Sequence, residues 1–171
     1  MTDPARVLAG LDALHALTGD GPRGAFRVAW TDGWARARGW LRAQLAEIEG
    51  VRVETDEAGN LWATRAAPGE PVVAVGSHLD SVPAGGRLDG ALGVLAALEI
   101  LRTTEGVALV DWADEEGARF GHSLLGSAAA AGMLDVAAAR GLTDADGVAL
   151  PDALAEHGVQ LDAMPRAAAR L

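Results

Sequence analysis

The residues best suited to chemistry lie in two short polar segments, each of which follows an apolar run. The first segment, residues 75–94, reads VGSHLDSVPAGGRLDGALGV and contains His78, Asp80 and Asp89. The second, residues 111–121, reads DWADEEGARFG and contains Glu115 and Glu116. Imidazole and carboxylate groups are common ligands of divalent metal ions. The two segments are therefore candidates for the halves of a metal-dependent site.

The spacing of His78 and Asp80 favours a role for the imidazole as a ligand. The two residues are two positions apart, so an extended backbone places both side chains on the same side. A carboxylate there can accept the ring N–H and hold the imidazole as a neutral metal ligand. A lone histidine at a strand end is more often structural, and it is the neighbouring Asp80 that favours a ligand.

Asp89 has two interpretations. The glycines between His78 and Asp89 allow the backbone to turn back, which would let the Asp89 carboxylate face the imidazole. Asp89 also immediately precedes a predicted helix that starts near residue 91, and aspartate is a favoured residue at helix N-termini. Spacing alone leaves both interpretations open.

Asp114, Glu115 and Glu116 form a run of three adjacent acids after an apolar strand. Adjacent carboxylates repel one another and are favoured where water or a cation neutralises them. The run is compatible with the acidic start of a helix, where the helix dipole stabilises negative charge. It is also compatible with a site in which one glutamate binds a metal and its neighbour acts as general base on the attacking water.

The hydrophobic pattern predicts an α/β fold with a mostly parallel central sheet flanked by helices. The run PVVAVG is continuous and apolar, which is typical of a central strand buried on both faces. In such sheets ligands bind at the carboxyl ends of the strands, where both polar segments lie. The other predicted elements are helices at 4–18, from Thr31 or Asp32 to Gly50, at 90–104, at 123–134 and from Pro151, a hairpin of 51–56 with 61–65, and a strand at 107–113.

Composition and charge argue against several kinds of partner and exclude cysteine chemistry. The net charge is −10 at pH 7 and the arginines are scattered, which argues against nucleic acid and acidic membranes as partners. The chain has no cysteine, so disulfides, thiolate metal sites and thiol nucleophiles are excluded. The N-terminal segment lacks the pattern of a signal peptide, and no apolar run reaches the length of a membrane span. We therefore expect a soluble, cytoplasmic protein.

Several segments together resemble a known enzyme family. The resemblance rests mainly on the segments GSHLDSVPAGGRLDGALGVLAALE and DEEGARFG. The segments TDGWARARGWL, DEAGNLWA and LTDADGVALPDAL support it. They resemble the dinuclear zinc amidohydrolases related to aminoacylase and the zinc carboxypeptidases. Within that family they are most similar to the branch of N-carbamoyl-L-amino-acid hydrolases, β-ureidopropionases and allantoate amidohydrolases. The resemblance implies a zinc-peptidase-like domain.

The resemblance assigns roles to the first segment. His78 would bind one metal ion, with Asp80 as the residue that orients its ring. Asp89 would bridge two metal ions, and the peptide bond between Asp89 and Gly90 would be cis.

The resemblance also assigns roles to the second segment. Glu115 would be the general acid and base, and Glu116 would bind one metal ion. The implied cofactor is a pair of divalent ions, with zinc first and manganese, cobalt or nickel also compatible with such ligands. The implied reaction is hydrolysis of a linear ureido or amide C–N bond in a small-molecule partner, an N-carbamoyl amino acid or allantoate.

The chain departs from the family in length. Family members are substantially longer, form homodimers through an inserted domain, and carry further histidine ligands that have no counterpart here. His15, His122 and His157 lie in no matching context. We therefore expect residues 1–171 to be the N-terminal part of the catalytic domain, with a sheet that is incomplete on its C-terminal side. A truncated, non-catalytic paralogue that binds metal weakly and an aminopeptidase or deacylase of the same superfamily are the alternatives.

Overall fold

The computed structural model describes residues 1–19 and 21–170 and confirms the α/β class. Helices flank a four-stranded sheet, and two 3₁₀ segments accompany them. The elements in chain order are α1 (Pro4–Thr18), a 3₁₀ turn (Gly21–Arg23), α2 (Asp32–Ala46), β1 (Arg52–Thr55), β2 (Leu61–Thr64), β3 (Val73–His78), α3 (Ala91–Thr103), β4 (Val107–Trp112), α4 (Leu125–Ala130), α5 (Val136–Arg140), α6 (Leu150–Glu156) and a second 3₁₀ segment (Leu161–Arg170).

The sheet is mixed, so the expectation of a mostly parallel sheet is wrong for the described residues. The strand order is β1-β2-β4-β3. Strands β3 and β4 are parallel and are joined by the α3 crossover, whereas β1 with β2 and β2 with β4 are antiparallel. The reason is that the β1–β2 hairpin does not lie apart from the sheet but pairs directly with the free side of β4.

Strand β3 lies at an edge of the described sheet, not at its centre as the apolar run PVVAVG predicts. It pairs on one side only, with β4, and Val73 is 65% exposed. Strand β4 instead lies between two neighbours, and every one of its residues but Trp112 is buried. A short apolar run fits either position, because periodicity does not report how many neighbours a strand has.

The helices follow the predicted order with different ends. Helix α1 has the predicted bounds and begins after Asp3, whose side chain accepts a hydrogen bond from the Ala5 N–H at 2.9 Å. Helix α2 ends at Ala46, before Gly50, and α4 is shorter than predicted. Helix α5 was not predicted, because its five residues are too few to show a period.

Two large clusters of buried side chains stabilise the fold, besides a small one on β2 and β4. One cluster lies where α1, α2 and α3 pack on the sheet, with Leu41, Leu95 and Leu109 among its members. The other joins Trp30 and Trp34 to α4, α5 and α6. Among the helices described, none is long and apolar enough to cross a membrane.

Candidate metal centre

The parallel pairing of β3 and β4 brings the two polar segments together. His78 is the last residue of β3 and pairs with Trp112, the last residue of β4. The acid turn, defined here as Asp114–Glu116, follows two residues after β4 ends. Because both strands run in the same direction, their carboxyl ends meet at one edge of the sheet.

The side chains of His78, Glu115 and Glu116 converge at this edge. Each offers one potential ligand atom, and these atoms all lie within 4.8 Å of one another. His78 Nε2 is 3.5 Å from Glu115 Oε2. The His78 side chain is 9% exposed and that of Glu115 is 34% exposed, so a small molecule can reach the carboxylate at the rim of the site.

The imidazole is oriented by a different oxygen from the one the sequence suggests. His78 Nδ1 lies 3.1 Å from the backbone carbonyl oxygen of Asp80. The distance from Nδ1 to Asp80 Oδ1 is 3.6 Å, which is too long for a hydrogen bond. Since the carbonyl occupies Nδ1, the Nε2 atom is the one that faces Glu115 and Glu116.

The Asp80 carboxylate positions the acid turn. It is buried, with Oδ1 accepting a hydrogen bond from the Glu115 N–H at 3.2 Å and Oδ2 accepting one from the Glu116 N–H at 3.0 Å. Hydrogen bonds to an ionised carboxylate are stronger than neutral ones. Asp80 therefore fixes the backbone of both glutamates relative to the end of β3.

Asp89 lies in an exposed loop outside the group of three converging ligands. The N-cap residue of α3 is Gly90 and no side chain caps that helix, so the capping interpretation of Asp89 is wrong. Its role as a bridging ligand stays a prediction. Among the described residues all peptide bonds are trans, so the cis bond that the resemblance implies before Gly90 is absent.

Gly90 makes the turn by a conformation that favours glycine. Its φ is +63°, and a Cβ there would lie 2.3 Å from the His78 carbonyl oxygen and 2.5 Å from the ring atom Cε1. The backbone after Asp89 thus packs directly against His78. No larger residue fits without moving the imidazole.

The charges of the site favour a bound cation. Burial lowers the pKa of His78, but Asp80 and Glu115 raise it more, and the result is a pKa of about 9. Burial, together with Asp89, raises the pKa of Glu116. Without a metal ion the single imidazolium charge offsets only part of the charge of the carboxylates, and a bound metal ion would replace its proton.

The acid turn does not open a helix, because the next helix begins at Leu125. Within the turn Asp114 points away from the two glutamates and is buried, and its Oδ2 accepts a hydrogen bond from Trp30 Nε1 at 2.8 Å. Burial raises the pKa of Asp114 to about 7, against the opposing effect of the Trp30 bond. The sequence grouped the three acids, but only the two glutamates face the site.

Charged side chains bind both backbone groups of Leu79, the residue between His78 and Asp80. The Leu79 N–H donates to Asp111 Oδ1 at 2.7 Å, and the Leu79 carbonyl accepts from Arg27 Nε at 2.6 Å. Asp111 Oδ2 in turn pairs with Arg38 Nε at 2.7 Å. All three charged residues are buried. An aspartate inside the apolar strand VALVDWA was the available signal, and sequence reasoning missed it.

The Asn60 side chain forms hydrogen bonds to both ends of the loop that contains the acid turn. Its Oδ1 accepts a hydrogen bond from the Ala113 N–H at 2.9 Å, and its Nδ2 donates to the Gly126 carbonyl at 3.0 Å. The sequence indicated only a turn at this position. The side chain in fact connects both ends of the loop between β4 and α4.

The remaining histidines contribute no ligand to the converging group of described residues. His157 is the C-cap residue of α6, and its ring packs against Trp34 with centroids 5.5 Å apart. His15 lies in α1, where its Nε2 is 3.2 Å from the Gly21 carbonyl oxygen. The expectation that none of His15, His122 and His157 substitutes for a missing ligand stays a prediction.

Comparison with known proteins places this chain in a family. The model of Peptidase family M28 matches residues 60–164, a range that contains all five candidate site residues. Among curated proteins, the chain is 39% identical over 155 residues to an N-carbamoyl-L-amino acid amidohydrolase of Geobacillus stearothermophilus. It is 32% identical over 156 residues to an allantoate amidohydrolase of Bacillus subtilis.

A solved structure shows the same fold. The similar chain is a hydantoinase/carbamoylase family amidase from Burkholderia ambifaria, with a TM-score of 0.83 and 36% identity over 93% of this chain. The resemblance drawn from the sequence motifs is thereby confirmed. The present chain spans 37% of the length of each of the two curated relatives and 41% of the amidase.

Proposed function

The chain belongs to Peptidase family M28, and from that premise we propose that it carries a metal-dependent site that hydrolyses a linear ureido or amide C–N bond. N-carbamoyl amino acids and allantoate are the proposed substrates. The observation that carries this proposal is the convergence of His78, Glu115 and Glu116 at the carboxyl ends of β3 and β4. The names of the similar proteins support the reaction class.

The donor set fits a divalent metal ion. One imidazole nitrogen and carboxylate oxygens suit zinc, and they also suit manganese, cobalt or nickel. We propose His78 Nε2, the Glu116 carboxylate and the Asp89 carboxylate as ligands. Two ions at this site need further donors besides these three, since zinc takes about four ligands.

The residues divide the chemical work. A bound metal ion would polarise the scissile carbonyl and make water more acidic. Glu115 is the proposed base, because its carboxylate is the accessible one beside the His78 ring. It takes a proton from the attacking water and passes it to the leaving nitrogen. Asp80 keeps Glu115 in place through the backbone. From a carbamoyl substrate the products would be the amino acid, ammonia and carbon dioxide.

The test is metal content and zinc titration of the purified chain, with hydrolysis of N-carbamoyl amino acids and allantoate assayed alongside. Zinc affinity should fall about 100-fold or more in His78→Ala, since removing a ligand imidazole removes several kcal/mol of binding. His122→Ala, which changes a histidine outside the converging group, is the matched control. Equal affinity in both variants and the unchanged chain would refute the site.

The same assay separates the alternatives. The family model that matches the chain is a peptidase model, so aminoacyl amides and N-acyl amino acids belong in the substrate panel. Turnover of those compounds alone would favour an aminopeptidase or deacylase. Metal binding with no turnover of any substrate would favour a non-catalytic role. A homodimer and a cytoplasmic location, both expected from the sequence, stay predictions.

A further inference from the structure

A buried hydrogen bond connects the segment before α2 with the acid turn. Trp30 is 1% exposed, and its indole Nε1 donates to Asp114 Oδ2 at 2.8 Å across 84 positions of sequence. Asp114 immediately precedes Glu115. The bond therefore ends one residue away from the proposed base.

Both residues of this bond have an uncommon backbone conformation. The φ of Trp30 is +59° and that of Asp114 is +55°, in the left-handed region that non-glycine residues seldom adopt. Such conformations persist only where surrounding contacts hold them. The Trp30 carbonyl accepts a hydrogen bond from Arg119 Nη1, and the Asp114 carbonyl accepts one from the Leu125 N–H at 3.1 Å.

The conformation of Asp114 sets the direction of the next two peptides. With Asp114 in the left-handed region, the N–H groups of Glu115 and Glu116 both point at the Asp80 carboxylate. Two residues thus hold the acid turn: Asp80 binds the backbone N–H groups of Glu115 and Glu116, and Trp30 binds the side chain of Asp114. Loss of the contact with Trp30 would remove a side-chain donor from this buried carboxyl, a bond whose loss inside a protein is costly.

We propose that Trp30 is a positioning residue for the acid turn, and that its indole N–H keeps Glu115 and Glu116 in the geometry that binds metal and substrate. The expected effect of Trp30 on metal and substrate binding rests on the proposed function. Its structural part, that Trp30 holds the turn, is independent of any metal.

The chain offers a matched control for this role. Trp34 packs against Trp30 with ring centroids 4.7 Å apart and is also buried. Its Nε1 makes no hydrogen bond within the described part of the chain. Trp30→Phe and Trp34→Phe therefore remove the same indole from the same cluster, but only the first removes a bond to the acid turn.

The first measurement is amide hydrogen exchange at Glu115 and Glu116 in the metal-free chain, with Ala63 and Leu109 of the sheet as reference amides. We expect exchange at the two glutamates to be about tenfold faster in Trp30→Phe than in Trp34→Phe, the effect of losing one buried hydrogen bond. Equal exchange in the two variants would overturn the proposal. If Trp30→Phe does not fold, Asp114→Asn weakens the same bond from its other end and should give a smaller increase of the same kind.

The second measurement is zinc affinity of the same variants. We expect it to fall about three- to tenfold in Trp30→Phe and to stay unchanged in Trp34→Phe. Faster exchange with unaltered zinc affinity would overturn the role at the site. If the unchanged chain binds no zinc, the proposed function fails, and the exchange experiment alone then decides whether Trp30 holds the turn.

Discussion

His78 and Asp89 come from the same short segment, yet the fold holds them very differently. His78 is buried, its ring is bonded at Nδ1, and the next residue is bound through both backbone groups. Asp89 is exposed in a loop and lies outside the converging ligands. For the proposed metal ligands, this difference predicts that the His78 imidazole is organised before metal binding, whereas the exposed Asp89 side chain loses conformational freedom when it binds.

We expect the largest loss of zinc affinity from Gly90→Ala, which would displace the His78 imidazole. A Cβ at residue 90 would lie 2.3 Å from the His78 carbonyl oxygen, and the positive φ disfavours alanine. We expect zinc affinity to fall about 100-fold, since a displaced imidazole is close to a lost ligand. Gly86→Ala is the control, because its Cβ would meet only Asp89 Cβ at 3.8 Å. Similar affinities in the two variants would mean that His78 is not held by this contact.

A smaller effect is expected from Asp80→Asn. The amide oxygen can still accept one of the two glutamate N–H groups, but the amide nitrogen then faces the other donor. The cost of an unpaired buried donor, about 1–3 kcal/mol, predicts a fall in zinc affinity of about tenfold or somewhat more. Asp152→Asn makes the same change at an exposed position of α6 and should have no effect, as isothermal titration of both variants would establish. A normal affinity for Asp80→Asn would argue that the acid turn holds its shape without this carboxylate.

Asp89→Asn tests the contribution of the exposed residue of the pair. Part of the energy of an Asp89–metal contact is spent in ordering the loop, so we expect zinc affinity to fall only about three- to tenfold. The fall should be smaller than in His78→Ala measured under the same conditions. An equal or larger loss in Asp89→Asn would mean that the loop is already organised in solution and that the contrast with His78 does not hold.

We expect the smallest effect on zinc affinity from a change at Glu99, which pairs with Arg6. Glu99 accepts hydrogen bonds from Arg6 at 2.9 and 2.5 Å, and this contact with Arg6, against the opposing effect of burial, lowers the pKa of Glu99 from 4.5 to about 2. A carboxyl whose pKa is lower in the folded chain stabilises above the unfolded pKa, and this stabilisation is lost as pH falls. Thermal unfolding should therefore show stability declining between about pH 4.5 and 2, and less steeply in Glu99→Gln. Zinc affinity at neutral pH should be unchanged.

The elements of the fold could be predicted from sequence where a local pattern defines them. Helix α1 has its apolar period, the β1–β2 hairpin has its turn residues, and the two polar segments follow apolar strands. Strand β3 could not be placed, because an apolar run carries no record of its number of neighbours. Its position at the edge is a property of the pairing of β2 with β4.

The site could be predicted in its residue types but not in its supports. The spacing of His78 and Asp80 correctly indicates a contact, but two different oxygens of Asp80 satisfy that spacing, and the carbonyl is the one used. The roles of Asp111 and Asp114 depend on partners 32 and 84 positions away. No local pattern reports such distant partners, and a buried aspartate in an apolar strand is the only trace they leave.

The long sequence separation of these supports also bears on the order in which the molecule folds. The bonds from Asp80 to Glu116 and from Trp30 to Asp114 close loops of 36 and 84 positions. Closing such loops costs chain entropy before any contact compensates for it. We therefore expect the site to be among the last parts of the chain to form, after α3 and the hairpin. A peptide of residues 75–94 alone, although it contains His78, Asp80 and Asp89, should lack the organised imidazole and bind zinc no better than an unstructured chain.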